Sequence, residues 1–256
     1  MRARHAPLVR AEVYGDDGPE LDDPAELFHE ASKLHPALAQ REAAGIVRLE
    51  TSDVLLRAAA HPVRRNPQLP ATDLPRPLRP HCSLWSALER RRSRRAFAGE
   101  LGADQLATLL DAAYGIRAGN RRTVPSAGAL YPLEIHVAIR SRGMYRYDPE
   151  LHALEEHDLC DPWPALEAAC PLPELLENGF AALLLLAVFG RTRFKYGQRG
   201  YRFALLEAGH VAQNVALAAA ALGLPALPLG GFYDAQLDEL VGADGVEESV
   251  VYAVIV

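Results

Sequence analysis

The feature that most constrains the fold is an unbroken apolar run, AALLLLAVF, at residues 181–189. It is much shorter than the about 20 residues with which a helix crosses a bilayer, and it is typical of a strand buried on both faces. A second apolar run, at residues 215–229, contains Gly223 and Pro225, which predict that a long helix over residues 198–222 ends there. We therefore expect a sheet with a fully covered central strand and no segment that spans a membrane.

The remaining periodicity predicts an α+β domain built on one central mixed sheet flanked by helices. Residues 133–140 are rich in β-branched residues and partly alternating, as in a strand. A hairpin is predicted to follow, with a turn at Pro149–Glu150 between strands at residues 144–148 and 151–157. The last predicted strand is a buried one at residues 248–256. Shorter helices are predicted at residues 84–91, 103–114 and 161–169.

The first 80 residues differ in composition from the rest of the chain. An acidic patch precedes a predicted helix at residues 24–41, in which Pro24 suits the first turn. Prolines then recur too densely for regular structure and favour an extended, semi-rigid arm: they are Pro62, Pro67, Pro70, Pro75, Pro77 and Pro80. We therefore predict a helical and proline-rich extension at residues 1–80 and one folded domain at residues 81–256. The extension is expected to wrap the domain or its partner subunit, or to help recognise a peptide.

Charge and cysteine content argue against several classes of function. The formal net charge of -6 is opposite to the basic excess of most nucleic-acid-binding proteins, so no nucleic-acid partner is expected. The three cysteines, Cys82, Cys160 and Cys170, are widely spaced and form neither a metal-ligand pattern nor a disulfide framework. The N-terminus also lacks the apolar core of a signal peptide. These observations predict a cytoplasmic protein without a metal site.

Three short segments combine residue types that suit an anionic, planar ligand, although each also has an ordinary structural explanation. In RRRSRRAF, residues 90–97, guanidinium groups around a serine can bind a phosphate, or can form a solvated basic helix end. In VPSAGALYP, residues 124–132, Gly128 permits close backbone approach, but a plain turn before a strand has a similar composition. In LPLGG, residues 227–231, paired glycines leave backbone N–H groups open to a ligand, or form a common strand-to-helix turn.

A fourth segment, FKYGQRGYRFALLEAGHVAQN at residues 194–214, places polar chemistry at the start of the long apolar helix. Lys195 and Tyr196 are predicted to lie in a loop between the buried strand and this helix, where functional residues are common, although an isolated Lys-Tyr pair usually lies on the surface. A polar stripe follows on one helix face, and such a stripe more often packs against another subunit or a satisfied core network than against a substrate. The stripe consists of Glu207, His210, Gln213 and Asn214.

In their order along the chain, RRSRRAF, PSAGALYPLEIHV, KYGQRGYRFALLEAGHVAQN and PLGGFYD resemble the flavin-dependent nitroreductase superfamily, and most of all its SagB-type branch of azoline dehydrogenases. The resemblance covers the chain from Ser83 to its end. It implies a nitroreductase-like fold and a homodimer with FMN at the subunit interface, in which the long helix belongs to the core or to the dimer contact. The cofactor-binding residues that it implies are Arg91, Arg92, Ser93, Arg95, Pro125, Ser126, Ala127, Gly128, Leu229, Gly230 and Gly231.

The resemblance also implies which part of FMN each segment contacts. Arg95 matches a position near the N1/O2 edge of the flavin ring, the segment around Ser126 matches one that reaches the flavin of the partner subunit, and the Gly230–Gly231 turn matches one that faces N5. Many members of the superfamily hold the FMN phosphate with basic residues at the C-terminus, whereas this sequence ends in YAVIV. We therefore expect the phosphate to be held by Arg91 and Arg92, together with Arg121 or Arg122.

The resemblance further implies that Lys195 and Tyr196 are the catalytic pair of an azoline dehydrogenase. Such an enzyme oxidises thiazoline or oxazoline rings in a peptide or peptide-like natural-product precursor to thiazole or oxazole, and has a cyclodehydratase as an expected partner. Two alternatives stay open. One is a general NAD(P)H-dependent nitro- or quinone reductase in which the Lys-Tyr pair is structural. The other is a non-catalytic scaffold subunit that holds a flavin passively.

Overall fold

A computed structural model describes residues 24–33, positions 45, 47, 51, 52 and 54, and residues 66–256. In chain order, the strands are β1 (Ala71–Asp73), β2 (Ile116–Arg117), β3 (Arg121–Arg122), β4 (Leu133–Ile139), β5 (Gly143–Asp148), β6 (Ala153–Asp158), β7 (Ala181–Val188), β8 (Leu227–Leu229) and β9 (Glu248–Ile255). The helices are α1 (Pro24–Ala31), α2 (Leu84–Arg90), α3 (Ala103–Tyr114), α4 (Trp163–Ala168), α5 (Gly190–Tyr196), α6 (Arg199–Leu222) and α7 (Asp234–Val241). Seven strands form one sheet in the order β1-β6-β5-β4-β7-β9-β8, and β2 pairs with β3 in a separate ribbon.

β7 lies inside the sheet, between β4 and β9, because its side chains are apolar on both faces. Leu183 and Leu185 pack into a core cluster that includes residues of α3 and α6, whereas Leu184 and Leu186 pack into a second cluster with residues of α4 and α7. Each of these leucines is at most 2% exposed. Full burial of such a side chain stabilises the fold by about 1.5–3 kcal/mol. The predicted strand with two covered faces is therefore confirmed.

All strand pairs in the described part of this sheet are antiparallel, although we expected a mixed sheet. Two consecutive hairpins join β4, β5 and β6, and hairpins produce antiparallel neighbours. β7 and β8 run in the same direction, but β9 lies between them and is antiparallel to both. The α+β class, with helices flanking one large sheet, is confirmed.

The proline-dense stretch contains regular structure, which corrects our expectation. Ala71, Thr72 and Asp73 pair with β6 and form an edge strand of the large sheet. Prolines are tolerated at such an edge, and the Pro70 carbonyl accepts a hydrogen bond from Glu156 N at 2.8 Å. Pro62 and most of the predicted helix beyond residue 33 lie outside the described residues, and the division at residue 80 stays a prediction.

α6 is long and apolar enough to cross a bilayer by length and composition alone, but its apolar face packs inside the protein. Ala204, Val211 and Val215 are fully buried in the cluster that also contains Leu183 and Leu185. On the polar stripe, Asn214 Nδ2 donates hydrogen bonds to the carbonyls of Ala112 at 3.0 Å and Thr123 at 3.2 Å, which ties α6 to α3 and to the segment after β3. α6 is thus the core helix of the domain.

Candidate active site

Three of the predicted functional segments leave the sheet at the same end. Leu133 at the start of β4 pairs with Ala187 at the end of β7, so the loop before β4 lies beside the helix that follows β7. Leu229, the last residue of β8, pairs with Ala253, which in turn pairs with Leu184 of β7. Because β7 and β8 run in the same direction, the Gly230–Gly231 turn leaves the sheet towards the end at which α5 begins.

Lys195 and Tyr196 lie in the last turn of α5, not in the loop that we predicted. The start of this helix is held to β4 by an ion pair between Arg191 and Glu134. Its connection to α6 is held by the buried Thr192, whose Oγ1 donates a hydrogen bond to the Gly200 carbonyl at 2.9 Å. A Cβ on Gly200 would lie only 2.7 Å from the backbone of α5, so the two helices meet at a tight corner.

The polar ends of Lys195 and Tyr196 converge on the backbone of Gly128, in the loop before β4. A Cβ on Gly128 would lie 2.6 Å from Tyr196 Oη and 3.0 Å from Lys195 Nζ. The Lys195 amine lies 5.3 Å from the centroid of the Tyr196 ring. The same ring makes an edge-to-face contact with the ring of Phe203. An amine and a phenol hydroxyl therefore lie next to each other beside an exposed stretch of backbone. This arrangement can accept and relay a proton.

The N-terminal extension contacts the same α5–α6 corner. Position 45 is a helical glycine on which a Cβ would lie 2.3 Å from the Phe194 carbonyl oxygen and 2.6 Å from that of Lys195. α1 packs on α6 through an edge-to-face contact between Phe28 and Tyr201, with ring centroids 5.3 Å apart. These contacts agree with an extension that wraps the domain next to the candidate site.

A buried group of polar and aromatic side chains supports the loop before β4, and sequence reasoning did not identify it. Ser126 Oγ accepts a hydrogen bond from Tyr131 N at 2.9 Å, and Tyr131 Oη accepts one from Arg122 N at 3.1 Å. The Arg122 guanidinium lies 4.0 Å from the centroid of the Tyr114 ring and is itself buried. Arg122 is therefore engaged inside the chain, which argues against our expectation that it could hold a phosphate, whereas Arg121 is exposed.

The basic segment at residues 90–95 lies at the surface beside β8. Arg94 N donates a hydrogen bond to the Ala226 carbonyl at 3.0 Å, which places this segment next to the strand that leads to Gly230 and Gly231. Within the described part of the chain, no arginine of the segment forms an ion pair with an acidic side chain. The guanidinium groups of Arg91, Arg92 and Arg95 are therefore available to an anion.

The Gly230–Gly231 turn presents open backbone. Among the described residues, a Cβ on Gly231 would meet nothing within 4 Å, and one on Gly230 would meet only the Tyr252 ring at 3.5 Å. The turn is anchored behind this surface, because Tyr233 N donates a hydrogen bond to the Ala169 carbonyl at 2.7 Å. Its open face can accept a flat ligand without a rearrangement of the backbone.

The sequence model of the nitroreductase family matches residues 88–256. A predicted nitroreductase of Methanocaldococcus jannaschii is 38% identical over 167 residues, which are 62% of this chain and 83% of that protein. The microcin B17-processing protein McbC of Escherichia coli is 32% identical over 134 residues, 48% of this chain and 49% of McbC. The trifolitoxin-processing protein TfxB of Rhizobium leguminosarum is 33% identical over 114 residues, 41% of this chain and 31% of TfxB, so the chain matches only part of these two proteins.

Solved structures agree with this relationship. A predicted nitroreductase from Ralstonia eutropha has a TM-score of 0.65 at 27% identity, over 75% of this chain and 90% of that one. One from Anabaena variabilis has a TM-score of 0.66 at 26% identity, over 90% of this chain and 45% of that one. The Escherichia coli microcin synthetase McbBCD complex with truncated pro-MccB17 bound matches with a TM-score of 0.58 over 90% of both chains, and at 23% identity this likeness concerns the fold alone. The predicted nitroreductase-like fold is thereby confirmed.

Proposed function

The chain belongs to the nitroreductase family, and from this premise we propose that it is an FMN-dependent azoline dehydrogenase. In this proposal it oxidises thiazoline or oxazoline rings in a peptide to thiazole or oxazole. The observation that carries the proposal is the convergence of Lys195 Nζ and Tyr196 Oη beside Gly128. McbC and TfxB are named as processing proteins of microcin B17 and trifolitoxin, which supports a peptide substrate.

The residues at the site fit FMN in charge and in shape. The guanidinium groups of Arg91 and Arg92 suit its phosphate, and Arg95 suits the ring edge on which negative charge develops in the reduced form. The open backbone of Gly231 permits close approach of a flat ring. When bound, FMN supplies an acceptor for two electrons in the form of a hydride.

The protein's own part in the reaction is to take up a proton. In an azoline, the ring carbon next to the exocyclic carbonyl carries an acidic C–H bond, because that carbonyl and the ring C=N both stabilise the resulting charge. The Lys195 amine, or the Tyr196 hydroxyl acting as a relay, accepts this proton while a hydride leaves the neighbouring ring carbon. The ring thus loses one proton and one hydride and becomes aromatic, which favours the reaction.

Gly128 is expected to be as important as the pair that contacts it. In a Gly128→Ala variant, the added methyl group displaces the ends of Lys195 and Tyr196, and a misplacement of about 1 Å can cost about 10²-fold in rate. We expect that loss in the oxidation of a thiazoline-bearing peptide. Gly119→Ala is the matched control: its φ of 73° is close to the 62° of Gly128, but its Cβ would meet no described residue within 4 Å.

In both variants, an alanine in the left-handed region should lower the free energy of unfolding by about 1–2 kcal/mol, which urea unfolding measures. Gly119→Ala should therefore lose stability and keep its rate. Equal rates in the two variants would show that the contact with Gly128 is not functional.

We further propose that the chain forms a homodimer through α2 and α6. α2 packs against α6, and the two helices present large apolar side chains to solvent: Leu84, Trp85, Leu88, Leu205 and Leu206. Trp85 is 74% exposed in the single chain, which is uncommon for so large an apolar side chain. A contiguous patch of this kind typically marks a protein interface.

A charge in this patch should dissociate the dimer. Buried tryptophans at interfaces commonly contribute 2 kcal/mol or more, so Trp85→Asp is expected to weaken dimerisation by at least about 30-fold. Light scattering over a dilution series would then show dissociation at concentrations at least about 30-fold higher than for wild type. Leu159→Asp is the control, because Leu159 is 64% exposed but lies just after β6, and it should stay dimeric. A wild-type monomer would exclude this part of the proposal.

A direct assay separates the proposed activity from the second candidate, a general NAD(P)H-dependent nitro- or quinone reductase. The similarity to the Methanocaldococcus jannaschii and Ralstonia eutropha proteins, both named as nitroreductases, favours that alternative. Protein loaded with FMN is incubated with a thiazoline-bearing peptide, and mass spectrometry measures the expected loss of about 2 Da per ring. A nitroarene with NAD(P)H is assayed in parallel. Brisk nitroarene reduction with every azoline unchanged would favour the reductase, and a protein that takes up no FMN would exclude both.

The proposed partner is a cyclodehydratase, the class of enzyme that forms azoline rings from cysteine, serine or threonine residues of a peptide. The similarity to McbC, which processes a peptide, supports a partner of this kind. Co-purification of the two proteins from a common host would test the association, and separate elution at micromolar concentration would contradict a stable complex.

A further inference from the structure

A buried carboxyl group, Glu207 on α6, lies behind the loop that carries Gly128. Its Oε1 accepts a hydrogen bond from Tyr114 Oη at 2.5 Å, and the same Tyr114 oxygen accepts one from Leu133 N at 3.3 Å, at the first residue of β4. Glu207 is only 2% exposed, so its carboxyl group depends on the groups that face it inside the protein.

Glu207 and its neighbours contact both ends of the loop from Ser126 to Leu133. At one end, the Ser126 hydroxyl lies close enough to Glu207 to lower the pKa of its carboxyl, and Ser126 also accepts the hydrogen bond from Tyr131 N. At the other end, Tyr114 connects Glu207 to Leu133. Gly128, which touches Lys195 and Tyr196, lies between these two anchors.

We propose that Glu207 is a positioning residue whose carboxyl, acting through Tyr114 and Ser126, fixes the loop that sets Gly128 against Lys195 and Tyr196. The proposal rests on the proposed function only for its effect on turnover. Its structural part, the hold on the loop, concerns the protein without substrate or cofactor. Glu207 itself does not contact the Lys195–Tyr196 pair in this scheme, and acts through the loop.

The protonation state of Glu207 should change the strength of this hold near neutral pH. Burial raises the pKa of Glu207 to about 7, against the opposing effects of Ser126, Tyr114 and Arg122. The charged and titratable groups that face it are Tyr114 from α3, whose own pKa is raised well above 10.0 by burial, and Arg122 from β3. The ionised carboxyl accepts stronger, charge-assisted hydrogen bonds, so the loop should be held more firmly above pH 7 than below it.

Hydrogen exchange of the protein without substrate tests the hold on the loop directly. After correction for intrinsic rates, peptides covering residues 126–133 should become better protected in wild type as the pH rises through about 7. The Glu207→Gln variant keeps a hydrogen-bond acceptor for Tyr114 but has no titratable carboxyl group. Its exchange should therefore lack the step in protection near pH 7. Tyr114→Phe should exchange faster over the same residues at every pH. Glu239→Gln, an exposed change on α7, should behave as wild type.

Folding stability provides an independent measurement of the Glu207 titration. Because the folded pKa of Glu207 lies above the unfolded value of 4.5, its favourable contribution is complete below pH 4.5 and is lost as the pH rises through about 7. The urea midpoint of wild type should therefore fall more than that of Glu207→Gln between pH 4.5 and 7.5. Turnover of the thiazoline peptide should show a break in kcat near pH 7 that Glu207→Gln lacks, with similar KM.

The outcomes separate this inference from the proposed function. If the exchange step near pH 7 is the same in wild type and Glu207→Gln, or if Tyr114→Phe leaves residues 126–133 as protected as wild type, the inference is wrong whatever the enzyme does. If the exchange results are as expected but no azoline is oxidised, the hold on the loop stands and the proposed function is wrong. If exchange changes and the kcat break persists in Glu207→Gln, Glu207 fixes the loop without acting on catalysis, and its assignment as a positioning residue is overturned.

Discussion

Lys195→Ala is expected to lower the rate of azoline oxidation by about 10²–10⁴-fold, the usual contribution of a positioned general base. Tyr196→Phe should lose part of that rate if the hydroxyl relays the proton, because the ring and its contact with Phe203 remain. Neither side chain is assigned to the cofactor, so both variants should stay yellow and dimeric. The measurement is the loss of about 2 Da per ring from a thiazoline-bearing peptide under single-turnover conditions.

Arg193→Ala is the matched control for this prediction. Arg193 lies on the same short helix, is exposed, and is also a basic residue. A comparable loss of rate in Arg193→Ala would mean that the helix or its charge matters, and not the Lys195 amine. Full activity of Lys195→Ala on azolines would remove the pair from the mechanism and leave the general reductase as the better account.

The bounds of the helices and strands could be predicted closely wherever the apolar residues follow a clear helical or strand pattern in the sequence. The strands and helices predicted within residues 81–256 begin and end within two residues of their observed bounds. β1 was missed because the prolines around it are a strong signal against a strand, and only its position at the sheet edge makes them acceptable. α5 was missed because it is seven residues long, has no side-chain cap at its start, and directly follows the apolar residues of β7.

The candidate site was predictable in its parts but not in its geometry. Gly128 and the Lys195–Tyr196 pair are distant in sequence, and their contact depends on the pairing of Leu133 with Ala187. Glu207 is visible in the sequence as part of a polar stripe, but its burial depends on Tyr114, which comes from another helix. Arginine is a residue type that commonly binds phosphate, and only the two tyrosine rings around Arg122 show that this side chain faces the interior.

A network of buried ion pairs on the sheet is expected to contribute strongly to the stability of the fold. Arg146 of β5 forms ion pairs with Glu134 of β4 and with Glu155 of β6, and all three residues are less than 9% exposed. The network also reaches the candidate site, because Glu134 pairs with Arg191 at the start of α5. Charged side chains that are buried this completely are tolerated only when each is paired with an opposite charge.

Arg146→Leu should therefore lower the free energy of unfolding by about 3–5 kcal/mol, because it leaves the buried carboxylate of Glu155 without its cation. Urea unfolding at pH 7 measures the loss. Arg117→Ala is the control: Arg117 pairs with Asp111 at 2.8 Å, but its side chain is 40% exposed, so the change should cost less than about 1 kcal/mol. Adding Glu155→Leu to Arg146→Leu should recover much of the stability, since it removes the stranded charge and fills the space with apolar atoms. A loss below about 1 kcal/mol in Arg146→Leu, or no recovery in the double variant, would mean that water reaches this face of the sheet and that Glu155 does not need a buried partner.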